Sequence, residues 1–96
     1  MQLEIITPDK KIFKGEVDAV QLPGLDGSFQ VLKGHAPIIS ALAKGTVKIN
    51  LPVNHDKLDN LSGLIQHDPS NDKIIRVDIN GGVLEMLGDN IILLAE

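Results

Sequence analysis

The 96-residue sequence predicts an all-β protein, a sandwich or barrel built from many short strands. Three observations carry that reading. Apolar residues recur at every second position in several short segments, the period of a strand with one buried face. Turn dipeptides separate those segments at regular intervals. Nowhere does an apolar pattern keep a helical period beyond a turn or two.

The length fits a single domain, residues 1–96. Leu3 and Ile5 alternate with Gln2 and Glu4, the first strand. Thr7-Pro8-Asp9 is a turn, with proline fixing φ. A long strand is expected from about Lys11 to Leu22, with Gly15 bending it so that it serves two sheets at a corner. Pro23-Gly24-Leu25-Asp26-Gly27 holds two turn dipeptides, after which Phe29 and Val31 share a strand face. Gly34 to Pro37 breaks the pattern, Ile38 to Leu42 is a short apolar run, and Gly45 ends that unit. Val47, Ile49 and Leu51 point one way from the next strand.

Pro52 to Lys73 is polar and turn-rich, longer than most connections in a compact domain. It reads as a surface insertion, with Leu58, Leu61, Leu64 and Ile65 suggesting a helical turn or small hairpin packed back. Ile75, Val77 and Ile79 then alternate with Arg76 and Asp78. Asn80-Gly81 suits a type I′ hairpin leading into Val83 to Leu87. After the turn Gly88-Asp89-Asn90, the run Ile91 to Leu94 is apolar on both faces. That strand is either covered on both sides or offers one face to a partner.

Composition excludes several functions. Net charge is -4 and no basic run exceeds Lys10-Lys11, which argues against nucleic acid. There is no cysteine, hence no disulfide and no thiolate metal site. No apolar run reaches the roughly 18 residues of a membrane span. The opening residues read as a strand rather than a signal segment, so a mature, cytosolic-side protein is expected. Phe13 and Phe29 are the only aromatic residues, so an interface relies on aliphatic area and polar fit.

Candidate chemistry is sparse. His35, in Gly34-His35-Ala36-Pro37, has no nucleophile or orienting acid implied nearby, so a turn histidine outweighs a general base. His55-Asp56 and His67-Asp68 offer nitrogen and oxygen ligands, and a small ligand- or metal-binding module using His55 and His67 is the alternative reading. A solvated loop accounts for them more simply. Gly24 to Gly27 resembles half a phosphate loop, but no helix follows it. No catalytic residue, cofactor or small-molecule substrate emerges. An interaction module is favoured over a catalyst.

The ordered motifs Leu3-Glu4-Ile5-Ile6-Thr7-Pro8, Ile12-Phe13-Lys14-Gly15-Glu16-Val17, Leu22-Pro23-Gly24, Asp26-Gly27-Ser28-Phe29, Val31-Leu32-Lys33-Gly34-His35-Ala36-Pro37 and Gly81-Gly82-Val83-Leu84-Glu85 closely resemble the epsilon subunit of the F-type ATP synthase (delta in mitochondria). The resemblance implies a flattened antiparallel β-sandwich of about eight to ten short strands. It implies a non-catalytic rotor part of the central stalk, clamping the gamma subunit to the membrane c-ring and coupling ion flow to ATP synthesis. Asp26, Gly27 and Ser28 would face the ring, and Thr7, Pro8, His35 and Ser40 the gamma subunit. Ile92 and Leu94 would add apolar area. The implied location is peripheral, at the cytoplasmic face of a bacterial cell membrane. Three departures stand out. Gln30 replaces the family's usual glycine, the connection from Asn50 to Lys73 is longer, and the sequence stops at Ala95-Glu96 where many relatives continue into a helical pair.

Overall fold

A computed structural model describes residues 1–53 and 65–96. Ten strands follow one another: β1 (Gln2–Ile6), β2 (Lys11–Glu16), β3 (Ala19–Gly24), β4 (Gly27–Leu32), β5 (Ile38–Leu42), β6 (Gly45–Asn50), β7 (Ile65–His67), β8 (Ile74–Ile79), β9 (Gly82–Leu87) and β10 (Asn90–Ala95). They form one hydrogen-bonded path, β2-β1-β10-β9-β5-β3-β6-β8-β7, with β4 on β3. The β5–β3 link is a single residue pair, Gly24 with Leu42. The path folds over at that link. β2, β1, β10, β9 and β5 make a front layer, and β4, β3, β6, β8 and β7 a back layer. The all-β sandwich is as expected. One pair departs from antiparallel order, since β1 and β10 run parallel from Gln2–Asn90 to Ile6–Leu94.

Inward residues alternate as the sequence implies. Leu3 and Ile5, Val47 and Ile49, Ile75 and Val77, Leu84 and Met86, and Ile91 and Leu93 fill one core, each at most 1% exposed. In β2 the neighbours Ile12 and Phe13 are both buried. A register shift opposite Ile5 and Ile6 makes this possible. Such a bulge adds a residue to one strand and turns it inward.

The corner between layers differs from expectation. The long strand breaks at Val17-Asp18, not at Gly15. Val17 donates its N–H to the Met1 carbonyl (2.8 Å), beside β1, and Asp18 donates to the Asn50 carbonyl (2.8 Å) at the end of β6. Each corner residue is therefore tied to a different layer. Gly15 stays in β2 opposite Leu3, where a Cβ would press to 3.3 Å from the Phe13 ring.

Asn80-Gly81 also differs. β8 pairs with β6 and β7, whereas β9 pairs with β10 and β5. The dipeptide is thus a crossover between layers, not a hairpin. No described residue other than glycine has positive φ, and type I′ needs it at Asn80. Gly82 sits at φ +154°, where a Cβ would lie 2.3 Å from the Leu94 carbonyl. The glycine lets β9 start flush against β10. Within the 52–73 segment, Ile65–His67 pairs with β8 as the outermost back strand. Leu58, Leu61 and Leu64 lie outside the described residues.

Candidate functional site

The β3–β4 hairpin carries Asp26, Gly27 and Ser28. Its connection is two residues, Leu25-Asp26, between paired Gly24 and Gly27. The strands close tightly because Gly24 has no side chain; a Cβ there would sit 2.7 Å from the Gly27 carbonyl and 2.9 Å from the Phe29 ring. Past the Gly24–Leu42 pair the hairpin tip runs beside β5. A surface groove separates them, lined by Leu25, Asp26, Gly27, Ser28, Phe29, Ile38, Ile39, Ser40 and Ala41. Ser40 thus shares a groove with the three residues assigned to the ring. Its hydroxyl donates to the Ala41 carbonyl (3.3 Å). Gln30, where the resemblance expects glycine, sits in regular strand opposite Gln21.

His35 is exposed on the β4–β5 connection. Its N–H bonds the Leu32 carbonyl (3.1 Å), and ring Nδ1 donates to the Ala36 carbonyl (2.7 Å). These bonds fix the corner, and among the described residues no acid side chain bonds the imidazole. Thr7 and Pro8 form the β1–β2 turn. Thr7 N–H and Oγ1 both donate to the Lys10 carbonyl (2.9 and 3.0 Å), and Lys10 N–H returns to Thr7 Oγ1 (3.2 Å). The turn is closed by its own polar groups.

The four residues assigned to gamma are spread out. Across the front layer Ile38, Met86, Ile91 and Leu3 are level, and so are Ala41, Val83, Leu94 and Ile6. His35 precedes the first row and Thr7 follows the second. They stand at opposite ends of the layer.

Between them lies the outer face. β10 answers the question its sequence raised: Ile91 and Leu93 point in, while Ile92 and Leu94 are exposed. Val83 and Leu87 on β9 and Ile39 on β5 extend the same surface; Ile39 is 76% exposed. Sequence reasoning missed Ile39, Val83 and Leu87. The signal was present in Val83-Leu84 and Met86-Leu87, adjacent apolar residues that cannot share one strand face. Glu4 and Lys11 form an ion pair at 3.0 Å on this layer. Being well solvated, it adds about 0–1 kcal/mol.

Two polar clusters on the back layer, around Asp68 and Asp78, are held by internal hydrogen bonds. Asp68 accepts from Ser70 Oγ (2.6 Å), Arg76 (2.8 Å) and Ser70 N–H (2.8 Å). Those bonds, Ser70's hydroxyl foremost, hold its carboxyl well below the usual carboxylate range. Asp78, bonded by Thr46 (2.7 Å) and Gln66 (3.0 Å), is lowered likewise. His67 lies exposed on β7 beside this committed Asp68, and His55 lies outside the described residues. Among the described residues no group of three His, Cys, Asp or Glu side chains stands close enough to hold a metal ion.

A small β-sandwich with a filled core, stiff turns and an apolar outer face defines a class of protein that works by contact. Residues 1–96 match the family described as ATP synthase, Delta/Epsilon chain, beta-sandwich domain. An ATP synthase epsilon chain of Chlorobium limicola is 41% identical over 99% of this chain and 88% of its own. That of Chlorobaculum tepidum is 42% identical over 98% and 86%. That of Salinibacter ruber is 34% identical over 100% of this chain but 58% of its own length. The fold also matches, with a TM-score of 0.72, 13% identity and coverage of 98% of this chain and 61% of the other, a chain in the central stalk and c-ring structure of Tetrahymena thermophila mitochondrial ATP synthase. The chain therefore belongs to the delta/epsilon family of ATP synthase β-sandwich domains, a non-catalytic subunit.

Proposed function

We propose that the chain is a rotor component of the central stalk, clamping the gamma subunit to the c-ring and so coupling ion flow to ATP synthesis. In this reading Asp26, Gly27 and Ser28 meet the ring, and Thr7, Pro8, His35 and Ser40 meet gamma. The observation that carries it is the apolar outer face, Ile39, Val83, Leu87, Ile92 and Leu94, on a chain of this family. Thr7 and His35 stand at opposite ends of the front layer, so one partner touching both must lie along that whole face. Aliphatic area then supplies affinity, and pre-closed turns reduce the ordering that docking costs. The chain is a single domain, 1–96, with a polar insertion at about 52–73. The reading implies a peripheral location at the cytoplasmic face of a bacterial cell membrane, held there through the complex.

Co-purification tests it. The chain is expected to capture the gamma subunit under mild conditions, and Leu94→Glu to weaken capture at least tenfold while circular dichroism stays unchanged. Deleting the chain should uncouple ATP hydrolysis from proton pumping. Absence of any gamma binding by the folded wild-type chain refutes the proposal.

A further inference from the structure

Glu85 stands at the centre of the apolar outer face. It faces Ile39 of β5 on one side and Ile92 of β10 on the other. Facing residues of an antiparallel pair have Cβ atoms about 5 Å apart. Along β9 the next residues on the same side are Val83 and Leu87, each about 7 Å away. All four neighbours are exposed, and so is Glu85. One carboxylate therefore sits inside a ring of bare aliphatic side chains.

Among the described residues Glu85 belongs to no ion pair. Glu4, the other acid on these central strands, lies beyond Ile92 and is bonded by Lys11 at 3.0 Å. The layer thus carries one acid with its own cation and one without. The surface beside Glu85 is also hollowed. A groove between β5 and β9 is lined by Pro37, Ile38, Ile39, Glu85, Met86 and Leu87. Its walls are apolar, and its one charged group is the acid. A lysine or arginine side chain has the matching form, an apolar stem with a cationic head.

We propose that the surface covering this face carries a basic side chain whose stem lies in the β5–β9 groove and whose head bonds the Glu85 carboxylate. The inference rests on the proposed function, which lays gamma along this face, so the cation belongs to gamma. Docking itself demands it. A carboxylate taken out of water with no counter-charge strongly opposes association. A cation set against it removes that penalty and fixes the register of the two surfaces. Glu85 therefore admits one class of partner surface, apolar with a cation at its centre, and holds off a purely apolar one. A lone acid that only keeps a bare face soluble makes the opposite forecast: removing it would strengthen docking.

Three substitutions at this exposed position separate the outcomes, with gamma as the probe. Glu85→Gln keeps the shape, removes the charge, and is expected to weaken gamma capture about tenfold. Glu85→Leu enlarges the apolar face, yet should weaken capture about thirtyfold or more, because gamma's cation is left covered and unpaired. Glu85→Lys should abolish capture, and reversing one particular lysine or arginine of gamma to glutamate should restore it. Urea midpoints and circular dichroism of all three variants should stay close to wild type, the position being on the surface. Capture by Glu85→Leu as tight as wild type or tighter overturns the inference and leaves the proposed function standing. So does a Glu85→Lys variant that no reversal on gamma rescues. A folded wild type that does not bind gamma at all removes the proposed function and this inference together.

Discussion

Gly82 has less room than any other described glycine: the place of its missing Cβ is 2.3 Å from the Leu94 carbonyl, at φ +154°. Gly82→Ala must both strain the backbone and push β10 away, an expected loss of about 2 kcal/mol or more. Denaturant unfolding checks it; a change under about 0.5 kcal/mol contradicts it. Asp68 poses a different residue-level question. Its carboxyl is held below its ordinary value of 3.8 in the folded chain. The unfolded chain thus takes up the proton first as pH falls. The stabilisation is complete above about pH 5 and is lost as pH drops through 4 toward the folded value. Asp68→Asn should therefore be less stable than wild type near neutrality, with the gap closing on acidification below pH 4. A gap that persists unchanged at pH 2 would show that the hydrogen bonds to Asp68 do not depend on its charge.

Among the elements, β10 separates packing from contact. Leu93 is fully buried and Leu94 is 53% exposed. Leu93→Ala should cost about 2–5 kcal/mol, and Leu94→Ala less than about 1 kcal/mol, both read from urea midpoints. Equal losses would mean that the outer face is not free. The strands most legible in the sequence were those with one wet face, such as β6 and β8, because alternation records burial directly. Asn80-Gly81 misled because local turn chemistry cannot report that β8 and β9 have other partners; β9 bonds β5, some forty residues earlier in the chain. Gly15 misled similarly: it relieves the Phe13 ring, while the bend lies where two N–H groups find carbonyls in different layers. The parallel β1–β10 pair joins opposite ends of the sequence and leaves no local signature. At the candidate site, the short-range turns were readable, and the full apolar face was not. It emerges only when β5, β9 and β10 are laid side by side.

At the scale of the molecule, four chain segments cross between the layers: β2 to β3, β4 to β5, β5 to β6 and β8 to β9. Two β-sheets joined by side-chain packing alone could slide past each other under a sideways load. Here any such shear must first stretch covalent backbone at four separate stitches, three of them (Val17-Asp18, Ala43-Lys44 and Asn80-Gly81) only two residues long. A twisting force applied to one layer is passed to the other as tension in the chain itself.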